Sequence, residues 1–182
     1  MSSKDTVLYG LVASTGSPHL GHGDDVVTPP SSLSYAAIRE YAERVGRAHE
    51  IYDENGHADI DALVARLGGR VHVQDSSESM HVREKGNFDI FIPSLTSARR
   101  DRFTKAHELG HYFLHYRHAG VAGEASFRRG GRNLAETQAN VFAASLLMPE
   151  REFREAVQLH GTDRKSTRLN SSHVALSRMP AS

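Results

Sequence analysis

Apolar residues recur at helical spacing from Tyr35 onward, with Ala37, Ile38, Tyr41, Ala42 and Val45 falling on one stripe. A second stripe, Ile60, Leu63, Val64 and Leu67, predicts a helix over about 58–67 that Gly68 and Gly69 stop. The period then shortens. Three β segments are predicted, at Arg70–Val73, about Met80–Arg83, and Phe88–Ile92, the last bounded by Asn87 and Pro93. In the third, Phe88, Ile90 and Ile92 share one face while Asp89 and Phe91 share the other, which suits a half-exposed edge strand offering backbone groups to an extended ligand. Helical spacing returns at Thr96 or Ser97, either of which can act as N-cap, and runs through Phe103, His107 and His111 to about Tyr116. A Gly- and Arg-rich loop over about 117–132 leads to a second long helix from near Asn133 to Met148. Pro149 then opens a shorter helix ending near Leu159.

Two helices, a small three-stranded sheet, two long helices and a short one make an α+β order rather than an alternating α/β one. Residues 1–33 carry Gly, Ser, Pro and His without periodicity and read as a flexible leader outside the fold. At 182 residues with 38% apolar content, the remainder is large enough for one core and contains no stretch resembling a membrane span. Lys and Arg balance Asp and Glu at 22 each, so no overall basic field argues for nucleic-acid binding. There is no cysteine, which excludes a disulfide framework and leaves His and carboxylate as the only zinc donors. Without a secretory or lipidation pattern, a cytoplasmic location is expected.

Among the 12 histidines, His107 and His111 stand four apart in His107-Glu108-Leu109-Gly110-His111. On a helix they project from one face about a turn apart and can chelate one ion. Glu108 between them is a candidate catalytic base, able to take a proton from a water whose pKa a metal has lowered to about 7. The alternative is two surface histidines on an amphipathic helix, but a chance H-E-x-x-H is expected in only about a few per thousand chains of this size.

A catalytic zinc needs a third protein ligand and an open position. The elongated motif with a third histidine is absent, since position 114 is Leu and position 117 is Arg. His115 continues the stripe but would stand about 6 Å further along the same axis. Glu136, on the next long helix, can approach from the opposite side, its alternative being an ordinary first-turn acid. Asn140, one turn on, could accept an N–H from a liganding histidine and fix its tautomer.

Two stretches, residues 102–115 (RFTKAHELGHYFLH) and 135–149 (AETQANVFAASLLMP), resemble the ImmA/IrrE family of metallo-endopeptidases. The resemblance extends more loosely from about Ser34 to His160. It implies a minimal zincin-like domain with the H-E-x-x-H motif on a central helix, a zinc cofactor, and a metal-ligating Glu falling on Glu136. It further implies a protein substrate, a helix-turn-helix repressor whose cleavage relieves transcription in mobile elements or stress responses, with action beside DNA rather than on it. A regulatory protein that binds a repressor or antitoxin without cutting it is the alternative, and the intact Glu108 speaks against it.

Lys105 departs from the family pattern and is expected to be solvated. The expected peptidase domain spans 34–162. From Asp163 the chain reads as the in-frame translation of a sequencing-library adapter, so 163–182 is expected to be a non-native, disordered tail. Arg99, Arg100, Arg102, Arg128, Arg129 and Arg132 could form a basic surface, although a solvated helix start and loop is the simpler reading. Tyr112 and Tyr116 are expected to pack, and His49, His57, His72, His81 and His118 show no mutual ligand spacing.

Overall fold

The computed structural model describes residues 28–75, 77–128 and 133–161; the expected tail and residues 1–27 of the expected leader lie outside them. The chain divides into two compact units, one through Leu147 and one from Met148.

In the first unit, α1 (Tyr35–Ala48) starts where Ser34 accepts from the Ala37 backbone N–H, and α2 (Ile60–Arg66) where Asp59 accepts from Ala62. Each cap satisfies a donor that the first helical turn leaves unpaired. Gly68, at a φ of 82°, turns the chain out of α2 in a conformation that other residues resist. Four strands follow: β1 (Gly69–Gln74), β2 (Ser79–Glu84), β3 (Asn87–Pro93) and, after the long central helix, β4 (Ala125–Arg128). Their order is β1-β3-β2-β4, with β1 parallel to β3 and the other pairs antiparallel. Val71 and Met80 flank Ile90, and Phe127 lies opposite Met80.

The α+β class stands, with two corrections. The sheet has four strands rather than three, because the Gly-rich connection contains β4. β3 is interior rather than an edge: its outward acid, Asp89, is 3% exposed and ringed by basic side chains from both neighbours. Arg70 Nε (2.9 Å) and His72 Nε2 (2.8 Å) reach it from β1, and Arg83 reaches it from β2. Pairing of this kind lets a carboxylate sit in a central strand.

α3 (Ala98–His111) starts at Ser97 and runs into a π-helical segment, Tyr112–Arg117, marked by the Phe113 carbonyl accepting from the His118 N–H. α4 (Leu134–Leu147) starts at Asn133, whose side chain accepts from the Glu136 N–H at 2.9 Å. Ile38, Ala42 and Val45 of α1 and Leu109, Phe113, Phe142 and Leu146 of the long helices share one core with Met80, Val82, Phe88 and Ile90 of the sheet. Tyr112 and Tyr116 are both buried there.

Lys105 is not solvated as expected. Its side chain is 12% exposed and its Nζ meets Asp61 at 2.5 Å, pinning α3 to α2. Arg100 and Arg102 likewise serve the fold, donating to buried Glu78 and to the Ala58 carbonyl. The last residues of the expected leader also belong to the first unit: Leu33 packs on the core and the Ser31 backbone is bonded to Gln138.

In the second unit, α5 (Glu150–Gly161) follows Pro149, whose carbonyl accepts from Phe153, and an ion pair joins Glu150 to Arg154 at 2.5 Å. No helix among the described residues is long and apolar enough to cross a membrane.

Candidate metal centre

α3 and α4 lie against each other at Gly110, where an added Cβ would stand 2.9 Å from Ala139 Cα and 3.0 Å from its carbonyl oxygen. Only a residue without a side chain allows that approach. One turn before this contact stand His107 and Glu136, and directly after it His111 and Asn140. His107, His111 and Glu136 are all buried, and their ligand atoms lie within 4.8 Å of one another. Nε2 of His107 is 3.2 Å from Oε2 of Glu136, Nε2 of His111 is 3.3 Å from Oε1, and the two Nε2 atoms are 3.2 Å apart.

These spacings suit a cation. Two donors on one tetrahedral ion at about 2.0–2.1 Å are separated by about 3.3 Å. Proton placement leads the same way. The side-chain oxygen of Asn140, 2.9 Å from Nδ1 of His107, can only accept, so that nitrogen carries a proton and Nε2 is the ring nitrogen turned toward the carboxylate. Burial pushes the pKa of His111 below the usual histidine value, favouring its neutral form. Burial raises that of Glu136, but hydrogen bonds from the two imidazoles, donated when their Nε2 atoms carry protons, outweigh this and hold it at about 2. The cluster is held by protons on the ring nitrogens or by a cation in their place. A positive ion at their focus meets all three.

The structure therefore brings together His107, His111, Glu136 and Asn140 from four positions on two helices. Glu108, next to His107, is 1% exposed. His115 does not join the three. It lies behind His111, with the two Nδ1 atoms 3.1 Å apart, and burial holds its pKa down at about 4. Sequence reasoning missed Phe127 of β4, which stacks on His111 at 5.3 Å between ring centroids, and Gln138, whose Oε1 lies 3.2 Å from Nε2 of His115. The alternation of Ala125, Ser126, Phe127 and Arg128 was the only signal for the former. For the latter there was none.

No curated protein matches the chain. A peptidase family model, the IrrE N-terminal-like domain, matches residues 65–179, a range that takes in both long helices and the sheet. With more than half of its length matched and a buried His/His/Glu group able to hold a metal ion, the chain belongs to the IrrE N-terminal-like family of metallopeptidases.

Proposed function

We propose that the protein is a zinc-dependent endopeptidase, with His107, His111 and Glu136 as metal ligands and Glu108 as the catalytic base. The observation that carries this reading is the convergence of two imidazoles and one carboxylate in a cysteine-free chain, the donor set of a catalytic rather than a structural zinc site. When bound, the metal supplies Lewis acidity, acidifying water and polarising a peptide carbonyl. The remaining work falls to side chains. Asn140 holds the ring of His107 in one tautomer, and Phe127 restrains that of His111. Glu108 takes the proton of the attacking water and passes it to the leaving amine.

β4 borders this centre and pairs with β2 on one side, while no described strand lies on its other side. An extended peptide could add there, its backbone bonding to the strand and its scissile bond lying across the metal site. Family resemblance supports a helix-turn-helix transcriptional repressor as substrate and a cytoplasmic setting. The test is incubation of zinc-loaded protein with a repressor encoded beside it. Discrete fragments are expected, and Glu108→Gln should abolish them while zinc stays bound, since an amide cannot accept the proton. Cleavage surviving in that variant would remove Glu108 from the mechanism, and a stable uncut complex with the unaltered protein would favour a binding module instead.

A further inference from the structure

A liganding histidine uses one ring nitrogen for the metal, and the partner of the other sets its tautomer. For His107 that partner is Asn140. For His111 it is another histidine, and the chain of contacts continues. Nδ1 of His111 lies 3.1 Å from Nδ1 of His115, and Nε2 of His115 lies 3.2 Å from Oε1 of Gln138. The Gln138 amide in turn holds both backbone groups of Ser31, accepting from its N–H at 2.8 Å and donating to its carbonyl at 2.8 Å.

Every proton in this row is fixed from its outer end. The Ser31 N–H can only donate and its carbonyl only accept, so the orientation of the Gln138 amide is determined. Its Oε1 must then accept from His115, whose single proton therefore sits on Nε2, leaving Nδ1 as a lone pair. His111 must donate to that lone pair from Nδ1, which leaves its own Nε2 bare and facing Glu136 and His107. That is the tautomer a metal requires.

Local geometry places His115 for this task. Four residues along an α-helix rotate about 40° past a full turn. The wider π turn at Tyr112–Arg117 reduces that rotation and sets His115 behind His111. His111, His115 and Gln138 are each 2% exposed, so the row lies in a setting where an unsatisfied polar group is costly and apolar side chains would otherwise be favoured.

We propose that His115 and Gln138 are positioning residues for His111, and that through them the backbone at Ser31, ahead of α1, sets the tautomer that presents Nε2 to the metal. This rests on the assignment of His111 as a ligand. It adds that the end of the segment expected to be a flexible leader outside the fold contributes to metal affinity.

The test measures zinc affinity of the full chain by competition with a chromophoric chelator. His115→Phe, which fills the space but cannot accept, should weaken binding about 10–100-fold. His115→Asn puts an acceptor oxygen near the place of Nδ1 and should recover most of that loss, a difference that packing alone would not produce. Gln138→Leu should also weaken binding. If either variant proves too unstable to assay, two-bond proton–nitrogen NMR of the zinc-loaded, unaltered protein decides: His115 should carry its proton on Nε2. A proton on Nδ1 of His115, or equal affinities for the Phe variant and the unaltered chain, would overturn the row alone. Failure of the unaltered chain to bind zinc would overturn the metal site and the row with it.

Discussion

Replacing Gly110 by Ala adds one methyl group where α3 and α4 touch. That carbon would meet Ala139 Cα at 2.9 Å, its carbonyl oxygen at 3.0 Å and its Cβ at 3.3 Å. Ordinary carbon contacts lie at about 3.5–4.0 Å. Two of the three atoms are backbone and cannot rotate away, so the helices must separate by about 0.6 Å or more. Overpacking of this kind costs about 1–3 kcal/mol, and the better helix propensity of Ala returns about 1 kcal/mol, leaving a net loss of about 0–2 kcal/mol. The metal centre should suffer more. His107 and His111 ride on α3 and Glu136 on α4, while ligand distances tolerate only about 0.2 Å. Thermal melting of the metal-free variant should therefore show a small shift, and chelator competition a loss of zinc affinity larger than the stability change accounts for. Unchanged zinc affinity alongside a lowered melting temperature would refute the argument that this contact sets the spacing of the ligands.

Asn140→Leu, which removes the acceptor for Nδ1 of His107, should weaken zinc binding about 10–100-fold without unfolding the protein; an affinity equal to the parent's would count against Asn140. Asp89→Asn should destabilise by about 1–3 kcal/mol at neutral pH, measured by urea unfolding, because the buried carboxylate joins Arg70, His72 and Arg83. Burial raises the pKa of Asp89, but its bonds to His72, Arg70 and Arg83 depress it well below the usual carboxylate range. Its stabilisation is therefore complete above the unfolded value near 3.8 and lost as pH falls below it, so the Asn variant should show a shallower decline between pH 4 and 2. Parallel acid-unfolding curves for the two proteins would contradict this.

The parts of the molecule legible in the sequence are those encoded locally. His107 and His111 share a helix face because they are four apart, and Glu136 and Asn140 share one for the same reason, so the convergence needed only the packing of two helices. Strand position is not local. The alternation in Phe88–Ile92 identifies two faces but is the same for an edge and an interior strand; what makes β3 interior is that β1 pairs with it in parallel, across a connection containing β2. Asp89 looked like a solvent-facing residue because its partners lie on other strands. Lys105 misled similarly: its partner Asp61 is 44 positions away. The contact between Ser31 and Gln138 spans 107 positions and involves backbone atoms, which no side-chain pattern records.

α3 itself carries a further argument. A helix packed on both sides should bury apolar residues, yet over this one and its π continuation His107, His111 and His115 are all at or below 2% exposure. Burying that many polar groups on one element opposes folding unless each finds a partner. Asn140, Gln138 and the Ser31 backbone supply partners on the side away from the focus, and Glu136 faces the imidazoles across it. At that focus two ring nitrogens and a carboxylate meet, a donor set that a cation can bind. A cation bound there is held by ligands from both long helices, so metal binding and the stability of the α3–α4 pair are two sides of one equilibrium.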